Sequence, residues 1–194
     1  MANKQPTAST QDLKKKKKKW IPIYASKDFN NQEIGETFLE ESEQALGRVI
    51  EVNLMMLTRD PKKQNFNVYF KVNEVKNNIA STELVKYRMQ VAQLKRITKK
   101  GKNKVDDSAE YLTQDNVKVD IKPILISKAL TYKTTLKLIR KETRDFLTKH
   151  VKELTYAQLM RDTVNGGLQK DIRSAIKKAY PVTGCMLKEV SRIN

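Results

Sequence analysis

The sequence has little of what most catalytic sites need. Its 194 residues include one cysteine, Cys185, and one histidine, His150. No internal disulfide can form, and a zinc site built from cysteine and histidine is excluded. Gly166-Gly167 lacks the glycine and lysine spacing of a phosphate-binding loop. His150 is interpreted as a helix C-terminal residue and Cys185 as a small core residue. The sequence therefore predicts no enzyme, no metal site and no cofactor.

Long apolar segments are also lacking. The longest runs, such as 123–126, are far below the roughly 20 residues of a membrane span. The lysines of 14–19 are followed by no apolar stretch of the kind that makes a secretory signal. No strongly amphipathic basic helix with bulky aromatics is evident, which disfavours a membrane-surface protein. We expect a cytoplasmic protein with no membrane partner and no small-molecule substrate.

Positive charge is what the sequence has in excess. Lysine and arginine number 39 against 22 acids, for a net charge of +17 and a pI near 9.8. Such a charge repels itself in an isolated compact domain, and a polyanionic partner relieves that repulsion. Nucleic acid is the first candidate and an anionic membrane the second.

The charge falls in blocks along the chain. Residues 1–27 hold eight lysines and one acid, whereas residues 28–60 hold eight acids and two arginines, a net charge of −6. Residues 86–104 hold eight basic residues and no acid, and residues 128–178 hold thirteen basic residues and five acids. Blocks of this kind predict one face for a polyanion and another, acidic face turned to solvent or to a basic neighbour.

Residues 1–19 form the most basic segment and have almost no apolar content. They predict a disordered arm in the free protein. The arm either threads along a polyanion or serves only as a solubilising tail, and its six consecutive lysines favour the first interpretation. Trp20 comes next and either anchors the arm in the core or stacks on a base; the core interpretation is favoured.

Strand patterns dominate residues 20–127. Alternation predicts strands at 48–54, 65–73, 79–85 and 117–121, with a further strand before the turn at 114–116. A turn containing Asp60-Pro61 separates the first two strands, and Asn77-Asn78 marks another turn. Pro123 indicates either an edge strand or a bulge.

A helical period takes over after residue 128. It predicts a helix from about Lys133 to His150, a second one capped by Thr155, and a third stopped by Pro181, with a final strand returning to the sheet. A short helix is also expected within 87–98. The predicted fold class is α+β: a β-rich body, barrel-like or a mixed sheet, with three C-terminal helices. One domain would span 20–194, β-rich over 20–127, helical over 128–181 and ending in a strand at 184–193.

Three groups of basic residues are the candidate nucleic-acid contacts, because lysine and arginine bind phosphates and set position without reading sequence. The first is the arm with its aromatic neighbour: Lys14, Lys15, Lys16, Lys17, Lys18, Lys19 and Trp20. The second is a helix and loop in the basic middle of the chain: Lys95, Arg96, Lys99, Lys100, Lys102 and Lys104. The third is one face of the first C-terminal helix: Lys133, Lys137, Arg140, Lys141 and Arg144. These patterns alone do not separate RNA from DNA.

Short motifs in a fixed order add a family resemblance. Lys19-Trp20, then Ile34-Gly35-Glu36-Thr37, then 46–54 with its Gly47-Arg48-Val49 start, resemble the small-subunit ribosomal protein family of archaea and eukaryotes usually called S-three-A-e or S-one-e. The stretches 119–123, 138–141, 171–172 and 177–181 are similar to it as well, so the resemblance covers about residue 15 to the end. It adds Arg48 to the expected RNA contacts.

Departures from the family pattern are also visible. Asn53 stands where the family usually has Ser or Cys, and Met56 where it has Asp. The segment 93–97 has fewer arginines than is typical, and the C-terminal extension of eukaryotic members is missing. We therefore expect a divergent, archaeal-type member.

The resemblance implies a structural constituent of the small ribosomal subunit, with no cofactor. Its expected place is the platform near the mRNA exit and the 3′ end of the small-subunit rRNA. Its expected partners are that rRNA, neighbouring ribosomal proteins and mRNA near the exit. The alternative is a free regulatory RNA-binding protein or RNA chaperone that acts off the ribosome.

Overall fold

The computed structural model describes residues 17–98, 100–177 and 179–193. Its strands are β1 (Lys19–Tyr24), β2 (Glu33–Leu39), β3 (Val49–Asn53), β4 (Phe66–Lys76), β5 (Ile79–Met89), β6 (Lys104–Asp106), β7 (Ala109–Leu112), β8 (Lys118–Ser127) and β9 (Val182–Arg192). Its α-helices are α1 (Leu54–Thr58), α2 (Val91–Ile97), α3 (Lys133–Glu153), α4 (Tyr156–Asn165) and α5 (Gly167–Ile176). The α+β class and the three C-terminal helices are as predicted.

The strands form one mixed sheet in the order β2-β1-β5-β9-β8-β6. In addition, β4 pairs with β5, β3 pairs with β4, and β7 pairs with β8. The pairing of β1 with β5 is parallel, and the other described pairings are antiparallel. Strand β8 has partners on both sides, and its register shifts between Lys122 and Pro123. Pro123 therefore marks a bulge, which was one of the two alternatives that the sequence predicted, and not an edge strand.

The hairpin of β4 and β5 follows directly from its sequence. Val68, Phe70 and Val72 alternate along β4 and are completely or almost completely buried, as the period-two pattern predicts. Asn77 and Asn78 have φ values of 50° and 60°, which makes a two-residue turn matched to the twist of the strands.

The three C-terminal helices pack beside the sheet. Helix α3 lies against β6, β7 and α5; α5 also contacts β9 and α4, and α4 contacts β5. Ile139 and Leu147 of α3 and Ile172 of α5 are fully buried in the main core. Each such side chain contributes about 1.5–3 kcal/mol by leaving water.

The ends of the C-terminal helices have local causes. Thr155 accepts a hydrogen bond from the backbone of Gln158, whose side chain accepts one in return from the backbone N–H of Thr155, so α4 begins with a capping box as the cap prediction requires. Gly166, with φ of 79°, separates α4 from α5 in the left-handed conformation that glycine tolerates best.

Several predicted boundaries were wrong. The strand predicted at 79–85 continues through Met89, and the third C-terminal helix ends at Ile176 rather than immediately before Pro181, whereas α2 lies within the range 87–98 expected for a short helix. The final strand begins at Val182 rather than 184. Lys19, assigned to the arm, is the first residue of β1 and pairs with Leu39. The rest of the predicted arm, up to residue 16, lies outside the described residues.

Candidate nucleic-acid interface

The loop between α2 and β6 is pinned to the segment that leads into α3. The Asn103 side-chain oxygen accepts a hydrogen bond from the Thr131 N–H at 2.8 Å. The backbone N–H of Asn103 donates to the Ser127 hydroxyl at 2.8 Å, and the Ser127 N–H donates to the Asn103 carbonyl at 3.0 Å. The structure thus brings together the second and third predicted groups, which are separated by 28 residues between Asn103 and Thr131.

Five lysines of these two groups, two in the 100–104 loop and three on α3, have no ion-pair partner among the described residues. We call them the lysine surface: Lys100, Lys102, Lys133, Lys137 and Lys141. Lys102 is half-buried, and the other four are exposed. Their positive charge is not neutralised within the described fold, which suits them for contact with a polyanion.

Two arginines of the predicted helix face have a different environment. Arg144 donates to both carboxylate oxygens of Asp107, at 2.7 and 2.6 Å, and Arg140 Nε lies 3.7 Å from the same carboxylate. The Asp107 side chain is only 9% exposed. The bidentate contact fastens α3 to the connection between β6 and β7, so these arginines have a structural partner besides any phosphate.

The remaining residues of the second group lie around this loop. Lys95 and Arg96 are exposed in the last turn of α2, where cations also interact favourably with the helix dipole. Lys104 opens β6 and forms an ion pair with Asp106 at 3.3 Å. Lys99 lies outside the described residues.

The N-terminal group lies elsewhere on the sheet. Lys17, Lys18 and Lys19 are exposed, whereas Lys14, Lys15 and Lys16 lie outside the described residues. Three strands separate β1 from β6 in the pairing order, so this group is not part of the lysine surface along the sheet.

Trp20 is not the core anchor that the sequence predicted. It is 63% exposed, and its ring centroid lies 4.8 Å from that of Phe38 on β2. Ile21 and Ile23 are buried instead, because alternation along β1 turns them inward and Trp20 outward. The aromatic pair therefore leaves an accessible apolar surface next to the exposed lysines.

Arg48 is the residue expected from the family resemblance. It is exposed, and its guanidinium donates a hydrogen bond to the Thr37 hydroxyl at 2.8 Å. This bond joins the start of β3 to β2 and leaves the other donors of the guanidinium available.

Lys86 and Arg88 form ion pairs within the fold. Both belong to the eight basic residues of 86–104. Glu189 lies 3.2 Å from Lys86, 3.7 Å from Arg88 and 3.0 Å from Lys122. Burial raises the pKa of Glu189, but the hydrogen bonds from Lys122 and Lys86 outweigh that effect and hold its pKa below the ordinary value. The pKa of Lys122 is raised by its hydrogen bonds to Asp120 and Glu189.

Two exposed apolar residues beside the lysine surface were missed at the sequence level. Tyr132 is 84% exposed at the N-cap of α3, and Leu130 is 69% exposed just before it. No periodic pattern marks them, because they lie in the connection between a strand and a helix. Their only sequence signal is their position between Lys128 and Lys133.

Most acids of the block 28–60 are exposed, which agrees with the predicted solvent-facing role of the block. Seven of its eight acidic residues are exposed. The eighth, Asp60, is half-buried and accepts a hydrogen bond from the Lys62 N–H at 3.0 Å. Asp28 forms an ion pair with Arg161 of α4.

The residues considered for catalysis have unreactive surroundings. Burial raises the pKa of the Cys185 thiol to about 12, so it stays protonated at neutral pH. His150 lies in the last turn of α3 with its ring stacked 5.2 Å from that of Phe146. Within the described residues, no cluster of acids, histidine and cysteine has the form of a metal site. No described helix is both long and apolar enough to cross a membrane.

A small α+β protein that presents uncompensated lysines beside exposed aromatic residues is typical of ribonucleoprotein components. Residues 7–194 match the sequence model of the Ribosomal S3Ae family, and the chain belongs to that family. It is an archaeal-type member and a ribosomal protein rather than an enzyme, as expected. Its place in the cytoplasm, with the ribosome, follows from this membership.

Archaeal relatives support the assignment over most of the chain. The small ribosomal subunit protein eS1 of Haloarcula marismortui is 29% identical over 174 residues, which cover 90% of this chain and 82% of the relative. The protein of the same name from Nanoarchaeum equitans is 30% identical over 86% of this chain and 84% of its own length. That of Methanobrevibacter smithii is 26% identical over 86% of each chain.

Proposed function

We propose that this chain is a structural constituent of the small ribosomal subunit that binds rRNA on the platform near the mRNA exit and so supports translation. The names of its relatives support a place in that subunit. Its proposed partners are small-subunit rRNA, neighbouring ribosomal proteins and mRNA near the exit. The acidic face of 28–60 turns to solvent or to a basic neighbouring protein.

The observation that carries this proposal is the pinning of the 100–104 loop to the start of α3. Asn103 and Ser127 hold the loop and the helix in a fixed relation, so the lysine surface is assembled before RNA binds. Preorganised cations lose less conformational entropy on binding than cations on an unfolded segment. They contact phosphates and fix the orientation of the protein on folded RNA, whose shape is presented by its backbone.

The other predicted contacts supplement this surface. The lysines of 14–19 follow the rRNA backbone, and Trp20 with Phe38 offers a stacking surface for an unpaired base. Arg48, Lys95, Arg96, Lys99 and Lys104 add phosphate contacts. Arg140 and Arg144 contribute through whichever donors Asp107 leaves available.

The test compares two triple variants with the same change in charge. Replacement of Lys133, Lys137 and Lys141 by glutamine removes three cations of the lysine surface. The control replaces Lys27, Lys62 and Lys118, which are exposed and belong to none of the three groups of predicted contacts. Binding to small-subunit rRNA transcribed in vitro is measured by filter retention at several salt concentrations.

The surface variant should lose affinity, and the slope of log K against log salt should become shallower by up to about 0.9 for each lost phosphate contact. The control variant should keep most of the affinity and most of the salt dependence. Equal losses in the two variants would mean that net charge alone drives binding and would refute the lysine surface.

Sedimentation distinguishes this function from that of a free regulatory RNA-binding protein. After gentle lysis, a gradient should place the chain in the small-subunit peak at the same stoichiometry as other ribosomal proteins. Recovery mainly at the top of the gradient, with other RNA, would contradict the proposal and support the regulatory alternative.

A further inference from the structure

A cavity of about 340 Å³ lies where the end of β8, the C-terminal end of α5 and the start of β9 meet. Its volume is within the range of small-ligand sites. It is lined by Lys128, Arg173, Lys177, Pro181, Val182 and Thr183. None of these residues belongs to the lysine surface.

Three cations converge on this cavity from different parts of the chain. Lys128 follows β8, Arg173 lies in the last turn of α5, and Lys177 is the C-cap of that helix. None of the three has an ion-pair partner among the residues that the structure describes. The helix dipole stabilises cations at the end of α5, but it gives no reason for Lys128 to face the same space. An anion bound among them would relieve their mutual repulsion.

The lining of the cavity also includes apolar residues, and it is tied to the sheet. Val182 is 7% exposed, and Pro181 lies beside it. The Thr183 hydroxyl donates a hydrogen bond to the Ser127 carbonyl at 3.3 Å, which ties the start of β9 to the end of β8. A lining that combines cations with apolar side chains matches a nucleotide, whose phosphate is charged and whose base and ribose have apolar faces.

Ser127 connects the cavity lining with the loop that carries Lys100 and Lys102. Ser127, which bonds to Thr183 at the cavity, also holds Asn103 of the basic loop, and its hydroxyl donates to the Ala129 carbonyl at 2.7 Å. These hydrogen bonds tie the cavity and the basic loop to the same end of β8.

We propose that this cavity holds one nucleotide of the bound RNA, with its phosphate among Lys128, Arg173 and Lys177. The inference rests on the proposed function and specifies a further contact for it. It assigns a role to the stretch 177–181, which carries part of the family resemblance and is absent from the three groups of predicted contacts.

The first experiment uses the full chain and small probes. Adenosine monophosphate, inorganic phosphate and adenosine are titrated in turn, and amide shifts of Val182 and Thr183 are followed by NMR. Saturable shifts are expected with adenosine monophosphate, weaker ones with phosphate and none with adenosine. Absence of shifts with both phosphate-containing probes would overturn the proposal.

Variants then locate the site. Arg173→Gln should abolish the shifts, whereas Arg173→Lys, which keeps the charge, should restore most of them. Lys170→Gln, an exposed control on the same helix, should leave them unchanged. Loss of the shifts in Lys170→Gln alone would place the phosphate elsewhere and refute the cavity. An unaltered amide spectrum outside the cavity checks that each variant is folded.

RNA binding separates the two possible sources of the phosphate. Arg173→Gln should weaken binding to small-subunit rRNA about fivefold, and a single-stranded oligonucleotide should displace adenosine monophosphate. If the oligonucleotide does not displace adenosine monophosphate and Arg173→Gln binds rRNA as well as the wild type does, the cavity is a site for free nucleotides. That result would overturn the RNA assignment and leave the proposed function intact. If the wild-type chain shows the amide shifts with adenosine monophosphate but does not bind small-subunit rRNA, the proposed function is contradicted.

Discussion

Two kinds of charged residue coexist in this chain. Some are held by partners within the fold, as Glu189 and Asp107 hold their cations, and others such as Lys133 and Lys137 have no partner among the described residues. The net charge of +17 does not separate the two kinds. The contacts in the structure separate charged residues that have a partner from those that have none in the described part of the chain. We expect mutations of the two kinds to have different effects.

Asp107 should matter for stability. Its nearly buried carboxylate binds Arg144 through two hydrogen bonds and lies beside Arg140. Asp107→Ala leaves two neighbouring guanidinium groups without that partner, so we expect the free energy of unfolding to fall by about 1–3 kcal/mol. Urea denaturation measures the loss. Asp145→Ala, an exposed change on α3, is the control and should lie within about 0.5 kcal/mol of the wild type.

Glu189 should make stability depend on pH. Its pKa is lower in the folded chain than its ordinary value of 4.5, so its contribution is present above pH 4.5 and disappears as the pH falls through the folded pKa. Glu189→Gln should therefore cost about 1–2 kcal/mol at pH 7. Urea midpoints at pH 7 and pH 3 test this, and the difference between variant and wild type should shrink at pH 3. A constant difference would show that the carboxylate charge is not responsible.

At the scale of elements, strong periodic patterns predicted β4, the β4–β5 turn and the three C-terminal helices. Weak or short patterns failed. Strand β6 has only three residues, Lys104–Asp106, and is a strand because it pairs with residues 124–126 of β8. Helix α1 interrupts an apolar run, and its start depends on the Asn53 side chain, which accepts a hydrogen bond from the Met55 N–H at 2.9 Å. Neither the tertiary pairing of β6 nor the single capping residue of α1 leaves a periodic signal along the chain.

The candidate interface shows the same limit. Runs of lysine identified its members, because charge is read directly from residue type. Their grouping depended on Asn103 and Ser127, which are single polar residues without a distinctive motif. The ion-pair partners of Arg144 and Lys86 could not be predicted from the sequence either. Asp107 is 37 residues from Arg144 along the chain, and Glu189 is 103 residues from Lys86.

Asn103 should control how the loop and α3 are held together. Asn103→Ala removes the bond to Thr131 but keeps the backbone pairing with Ser127. We expect a small loss of stability, about 1 kcal/mol, and faster hydrogen exchange at the Thr131 amide. Affinity for rRNA should fall although no cation is removed. Thr134→Ala, an exposed change in the first turn of α3, should alter none of these quantities.

On the scale of the whole molecule, positive charge is concentrated in separate regions rather than spread evenly. The lysine surface lies by β6 and α3, and the exposed N-terminal lysines lie at the start of β1. The acidic block of 28–60 occupies the segment between β1 and β4. Two basic regions separated along the sheet would contact different stretches of one folded RNA. Their contributions to the salt dependence of binding should therefore be separable.

Deletion of residues 1–18 tests this separation. The cut ends before Lys19, which pairs with Leu39 in β1, so the urea midpoint should match that of the full chain. Because Lys14 to Lys18 are lost, the slope of log K against log salt should become shallower by up to about 0.7–0.9 for each phosphate contact. A full-length chain with these five lysines replaced by serine should behave like the deletion if charge, rather than length, is responsible. An unchanged slope in both variants would show that the arm makes no contact with RNA, and the lysine surface would then account for the binding by itself.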